Sequence, residues 1–127
     1  MSLPSSIANL PARADELREL LTKWCNQNSG SDHPAGLAAM LELLQPAFAR
    51  LPGAKVERVA LAGTTAFALR AQVRPKAPVQ IFLSGHYDTV YGATHPFQQC
   101  DLVAPDRLRG PGTSDMKGGL VVMLAAL

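Results

Sequence analysis

The residue pattern of this chain predicts an α/β fold. Three observations carry that prediction: two early segments with apolar residues at helical spacing, a middle region of short alternating or continuously apolar runs, and a glycine-rich loop leading into an apolar close. The first helix is predicted from about Ala12 to Cys25, where Leu17, Leu20, Leu21 and Trp24 fall at i, i+3, i+4 and i+7, and Asn28, Ser29 and Gly30 stop it. The second is expected to be capped by Ser31 or Asp32 and to start near Pro34. It should bury Leu37, Met40, Leu41 and Leu44 and kink or end at Pro46.

After Leu51-Pro52-Gly53 the period changes. Residues 55–61 and 66–73 read as two strands joined by a turn at Gly63-Thr64. Larger apolar side chains alternate with small or polar ones along 66–73, so one face of that strand should be buried. Arg74 to Pro78 reads as a solvated turn. Val79 to Leu83 (VQIFL) is short and almost wholly apolar, the pattern of a strand covered on both faces in the middle of a sheet, and it ends at Ser84-Gly85. The segment from Tyr91 to Arg109 reads mostly as loop, with Leu102-Val103 and Arg107-Leu108 able to pair briefly. Residues 110 to 112 then lead into a helix from Thr113 or Ser114 to the chain end, apolar on every side and so expected to be buried.

The totals narrow the function classes. The 127 residues, 47% of them hydrophobic, suit one packed domain. A net charge of +2 with twelve scattered Lys and Arg provides no stripe that could follow a phosphate backbone, which argues against nucleic acid. No apolar run approaches the roughly 18 residues of a membrane span, and the opening MSLPSSIANL lacks the basic start and apolar stretch of a secretory signal. Two isolated cysteines, Cys25 and Cys100, suit a reducing compartment, so a soluble, cytoplasmic protein is expected. Met1-Ser2-Leu3 reads as a remnant of expression.

Chemistry is expected just beyond the VQIFL run, because ligands in open α/β sheets bind outside the carboxyl ends of the strands. His86 and Asp88 stand there. In extended backbone, residues two apart project to the same side, so the Asp88 carboxylate can reach one ring nitrogen of His86 while the other faces the crevice. A metal-binding histidine needs that arrangement, since the carboxylate fixes its tautomer. H-x-D alone is weak, and a structural histidine is its ordinary reading. The second phrase, RGPGTSDMKGG, adds Asp115 on a glycine loop. A phosphate cradle is an alternative there, but Asp115 stands where a dinucleotide fingerprint wants glycine and would repel the anion. A helix-capping carboxylate is another alternative, but it leaves unexplained Gly118-Gly119 in the first turns of a helix, at a cost of about 1 kcal/mol each relative to alanine. Close approach of backbone would explain both.

Together, Ser84-Gly-His86-Tyr-Asp88-Thr-Val90 and Gly110-Pro-Gly-Thr-Ser-Asp115-Met-Lys-Gly-Gly119 resemble the signature of the zinc aminoacylase and carboxypeptidase family of metallopeptidases. That family includes acetylornithine deacetylase, succinyl-diaminopimelate desuccinylase and glutamate carboxypeptidase. The resemblance implies the amino-terminal part of a three-layer αβα catalytic domain, with two amino-terminal helices, a mixed sheet and a truncated final helix. It implies two Zn2+ ions, with Co2+ or Mn2+ able to substitute; the residue matching His86 binds one, that matching Asp115 bridges both, and that matching Asp88 is the catalytic-site carboxylate that orients the histidine. It also implies a cis peptide between Asp115 and Met116. The substrate so implied is an N-acyl amino acid or a small peptide with a free carboxylate, and Asp88-Thr-Val-Tyr leans toward the glutamate carboxypeptidase side. A homodimer of the intact protein is compatible with the resemblance.

The chain departs from the family pattern in having no later Glu-Glu pair, no further carboxylate ligand and no late histidine. A catalytic zinc usually takes three protein ligands and a water. His33, expected in a helix cap, and His95, Cys100 and Asp101, expected in loops, are not selected by spacing as substitutes. With an apolar finish at Leu127 and no stop signal, the expectation is a fragment of a longer hydrolase, inactive as this chain. The alternatives are a phosphate- or nucleotide-binding α/β module and a non-catalytic remnant that serves as an interaction domain.

Overall fold

The computed structural model describes residues 5–127, so the reading of Met1-Ser2-Leu3 lies outside the described residues. A one-turn helix α1 (Ser5–Ala8) and a 3-10 turn at Leu10–Arg13 lead into α2 (Ala14–Asn26). Asp15 and Glu16 in its first turn and Lys23 in its last complement the helix dipole. The predicted stripe faces inward: Trp24 is fully buried, and Leu17, Leu20 and Leu21 pack around it.

Helix α3 (Pro34–Ala49) buries Leu37, Met40, Leu41 and Leu44, as its spacing requires. Its N-cap is His33 rather than Ser31 or Asp32. Ser31 is engaged elsewhere: its N–H donates to the Thr89 carbonyl and its hydroxyl to Asp88, while the His33 N–H closes a turn on the Gly30 carbonyl. The helix also runs through Pro46 to Ala49. A proline in the last turn withdraws only one intrahelical donor, and packing of Leu44, Ala47 and Phe48 on the core holds the turn.

Strands β1 (Lys55–Ala60) and β2 (Phe67–Gln72) pair antiparallel, from Lys55 opposite Gln72 to Ala60 opposite Phe67. Arg58 ties β1 to α3 through Gln45 and Glu42. The buried face expected on 66–73 is only partial: Leu69 meets the core, while Phe67 remains exposed. The predicted pairing further on is present as β3 (Asp101–Ala104) with β4 (Arg107–Arg109), including a register shift between Leu102 and Ala104.

The α/β composition therefore holds, but the single mixed sheet does not form among the described residues; the strands make two separate antiparallel pairs. The largest departure is Val79–Leu83. It has no ladder partner, and Ile81 and Phe82 are 82% and 89% exposed. A strand is covered on both faces only where neighbours pair with it, and no described strand pairs with this one. The last helix, α4 (Lys117–Ala126), begins later than predicted because residues 111–116 form successive turns. It buries Lys117, Leu120 and Val121 against α2 and α3, but Val122 is exposed, so it is not buried all round. No described helix is long and apolar enough to cross a membrane.

Candidate metal centre

Two loops meet above the α2–α4 core. The first, His86 to Thr89, is fastened to the connector between α2 and α3. The buried Ser29 hydroxyl donates to the Tyr87 carbonyl at 2.7 Å, the Thr89 N–H donates to the Ser29 carbonyl at 2.9 Å, and the Ser31 N–H donates to the Thr89 carbonyl at 3.0 Å. These bonds form an isolated parallel bridge between Gly30 and Thr89. The Tyr87 hydroxyl reaches the Phe67 carbonyl of β2 at 2.6 Å.

The second loop, residues 110–116, is fixed from below. Lys117 is fully buried, and its Nζ donates to the Trp24 and Gln27 carbonyls at 2.9 and 2.8 Å, adding a second donor to the Trp24 carbonyl that already takes the Gln27 N–H at the end of α2. Burial pushes its ammonium down to about 8, against the opposing influence of Cys25 and Cys100. A Cβ on Gly118 would overlap the Thr113 carbonyl oxygen, so the close approach expected at the glycine pair is met at 118. At Gly119 it is not: a Cβ there would meet only the Met116 side chain, 3.1 Å from its terminal methyl. The Asp115–Met116 peptide is cis.

These two anchors bring the three predicted residues together. His86 Nδ1 lies 3.1 Å from Asp88 Oδ1 and 3.2 Å from the Asp88 carbonyl oxygen, and Nε2 lies 2.9 Å from Asp115 Oδ1. Burial opposes charge on the ring, but the hydrogen bonds to Asp115 and to the Asp88 carbonyl, with both carboxylate charges, outweigh it and hold His86 above its ordinary pKa. The donor chemistry is informative. A neutral ring that donates Nδ1–H to Asp88 presents a lone pair at Nε2, and that lone pair faces a carboxylate oxygen. Such an apposition is repulsive unless a cation, a proton or a metal ion, sits against both. Zinc bonds to nitrogen and oxygen are about 2.0–2.2 Å, so atoms this close are within reach of one ion. His86 and Asp115 thus fit a metal ion, and Asp88 lies against the far ring nitrogen.

The other candidates stay apart. His33 Nδ1–H donates to Asn28 Oδ1 at 2.8 Å, His95 packs on Tyr91 with ring centroids 4.8 Å apart, and Asp101 pairs with Arg109. Cys100 lies against Cys25, and burial raises its thiol. Among the described residues, no group of three or more His, Cys, Asp or Glu side chains is arranged to hold an ion. A cavity of about 370 Å³ opens at the centre, walled by Val90, Tyr91, Phe97 and Arg109. One residue at the site was missed by spacing alone. Ser31 Oγ donates to Asp88 Oδ2 at 2.6 Å, and its only sequence signal is a polar turn that reads equally well as a helix stop.

Residues 82–127 match the model of Peptidase family M20/M25/M40. The matched stretch contains His86, Asp88 and Asp115 and begins inside the exposed VQIFL run. It supports a peptidase, and so a hydrolase, family for this part of the chain. No curated protein and no solved structure matches the chain.

Proposed function

We propose that this chain carries part of the active site of a zinc-dependent hydrolase that cleaves an amide bond in an N-acyl amino acid or at the carboxyl end of a small peptide. The observation that carries the reading is the approach of His86 Nε2 to Asp115 Oδ1 at 2.9 Å, with Asp88 on the opposite ring nitrogen. In this reading His86 and Asp115 would hold the metal, and the second Asp115 oxygen, without a protein partner among the described residues, would be open to a second ion. When bound, zinc supplies Lewis-acid polarisation of a carbonyl and a water acidified toward neutrality.

The chain's own residues contribute position. Asp88 holds His86 in the tautomer that presents Nε2, and the 110–116 loop, anchored through Lys117, holds Asp115 at the mouth of the cavity. Arg109 on the cavity wall suits a substrate carboxylate, and Tyr91 and Phe97 suit an apolar side chain. Two donors are fewer than a catalytic zinc needs. The general base and remaining ligands are therefore proposed to come from outside these residues, with this chain the amino-terminal portion of the catalytic domain. A cytoplasmic setting fits the two free thiols, and a homodimer of the intact protein belongs to the same reading.

Zinc or cobalt titration of the purified chain tests this. Weak binding is expected, with no turnover of N-acyl amino acids. Asp115→Asn should abolish the binding. An Asp115→Asn protein that instead gains affinity for inorganic phosphate would overturn the reading in favour of a phosphate-binding module.

A further inference from the structure

The Ser29-Gly30-Ser31 turn reads in the sequence as the end of one helix and the cap of the next, yet it performs no capping. Its groups point at the candidate centre instead. Ser29 fixes the main chain at Tyr87, between the two site residues, and Gly30 lets the strands approach: a Cβ there would lie 2.7 Å from the Tyr91 carbonyl oxygen. Ser31 then takes hold of a side chain. Its hydroxyl donates to Asp88 Oδ2 at 2.6 Å, which leaves Oδ1 for the His86 Nδ1–H at 3.1 Å.

We propose that Ser31 is a positioning residue of the metal centre, acting through Asp88 to set the tautomer and aim of His86. This rests on the hydrolase reading for its purpose but on the hydrogen-bond chain for its existence. A carboxylate that is held at one oxygen only can rotate about χ2 and release the ring. Held at both, it cannot do so without breaking a bond. The Ser31 backbone is already locked by its N–H bond to Thr89, so the hydroxyl is placed with little loss of freedom. Groups behind a ligating histidine shift metal affinity by about 10–100-fold when they are removed. Ser31 stands one bond further back, and a loss of up to about tenfold is expected.

The experiment is long-range nitrogen–proton NMR of the His86 ring in the full chain without metal, at a pH where the ring is neutral and in an Asp115→Ala background so that no carboxylate faces Nε2, for the protein with Ser31, with Ser31→Ala and with Ser31→Thr. With Ser31 present the ring should show one tautomer, with the proton on Nδ1. Ser31→Ala should show a mixture of tautomers or exchange broadening, with backbone amide spectra otherwise preserved, and Ser31→Thr should restore the single tautomer. A ring spectrum unchanged by Ser31→Ala, or a threonine variant as disordered as alanine, overturns the proposal. A parallel zinc titration separates the two claims: if wild type takes no zinc while the tautomer still depends on Ser31, the metal reading fails and the positioning role stands.

Discussion

Residues 79–83 and 86–89 are neighbours on one extended run, yet the first is bare and the second is bound on several sides. The apolar five, VQIFL, make no ladder and leave Phe82 almost fully exposed. The polar four are held by Ser29, Ser31 and Phe67 through directional bonds. The lesson is that an apolar strand needs partners of matching length before its burial counts, whereas a site loop needs only a few well-aimed donors. The site is therefore assembled even though no sheet carries it.

The sharpest way to break this contrast is to remove an aromatic from each side. Trp24→Ala empties the centre of the α2–α3–α4 core and should cost about 3–5 kcal/mol. Phe82→Ala should change stability by less than about 0.5 kcal/mol. Urea denaturation of both variants measures this, and a Phe82→Ala loss comparable with that of Trp24→Ala would mean the VQIFL run is packed in solution.

Next in size is Lys117→Met, which keeps the bulk of the side chain and removes its two charge-assisted bonds to the Trp24 and Gln27 carbonyls. A loss of roughly 2–3 kcal/mol is expected, with the 110–116 loop loosened. Hydrogen exchange across residues 110–119 would sharpen the point, because protection there should fall further than in β1 and β2.

How much of this was legible in advance follows the same division. Leu37, Met40, Leu41, Leu44 and Trp24 were legible because helical spacing is local and their burial needs only one other helix. That His86, Asp88 and Asp115 would meet was expected from the resemblance of the two phrases to a known signature, since spacing by itself reads H-x-D as structural. The fate of Val79–Leu83 was not, because the same pattern serves a central strand and a strand without neighbours. Nor was the work of Lys117 and Ser31. Their partners lie 90 or more and 57 positions away, and nothing in the spacing of a lysine or a serine announces such a partner.

The two glycines of the second motif give a smaller test of the same anchoring. Gly118→Ala forces a methyl group into the Thr113 carbonyl and should forfeit the gain of about 1 kcal/mol that alanine ordinarily brings to a helix, ending as a net loss. Gly119→Ala meets only the Met116 side chain and should be neutral or stabilising by up to about 1 kcal/mol. Thermal melts of the pair rank them, and equal losses would show that both positions are crowded.

The smallest expected effect concerns alkaline pH. Cys25, buried at the end of α2 beneath the anchored loops, has its thiol pushed up to about 12 from 9.0, by burial first and by the neighbouring Cys100 second. A raised folded-state value means that the native protein keeps its proton after the unfolded chain has lost it. The stabilisation is thus complete below pH 9 and is lost as pH rises toward 12. Lys117, lowered to about 8, works in the opposite sense over an overlapping range. Because Cys25 and Lys117 act on each other, the thiol is isolated by comparing Cys25 with Cys25→Ala in a Lys117→Met background. That difference should narrow by less than about 1 kcal/mol between pH 8 and 9.5. A gap that stays constant or widens would mean that the thiol ionises as freely in the native protein as in the unfolded chain, and that the floor under the 110–116 loop is wetter than its packing implies.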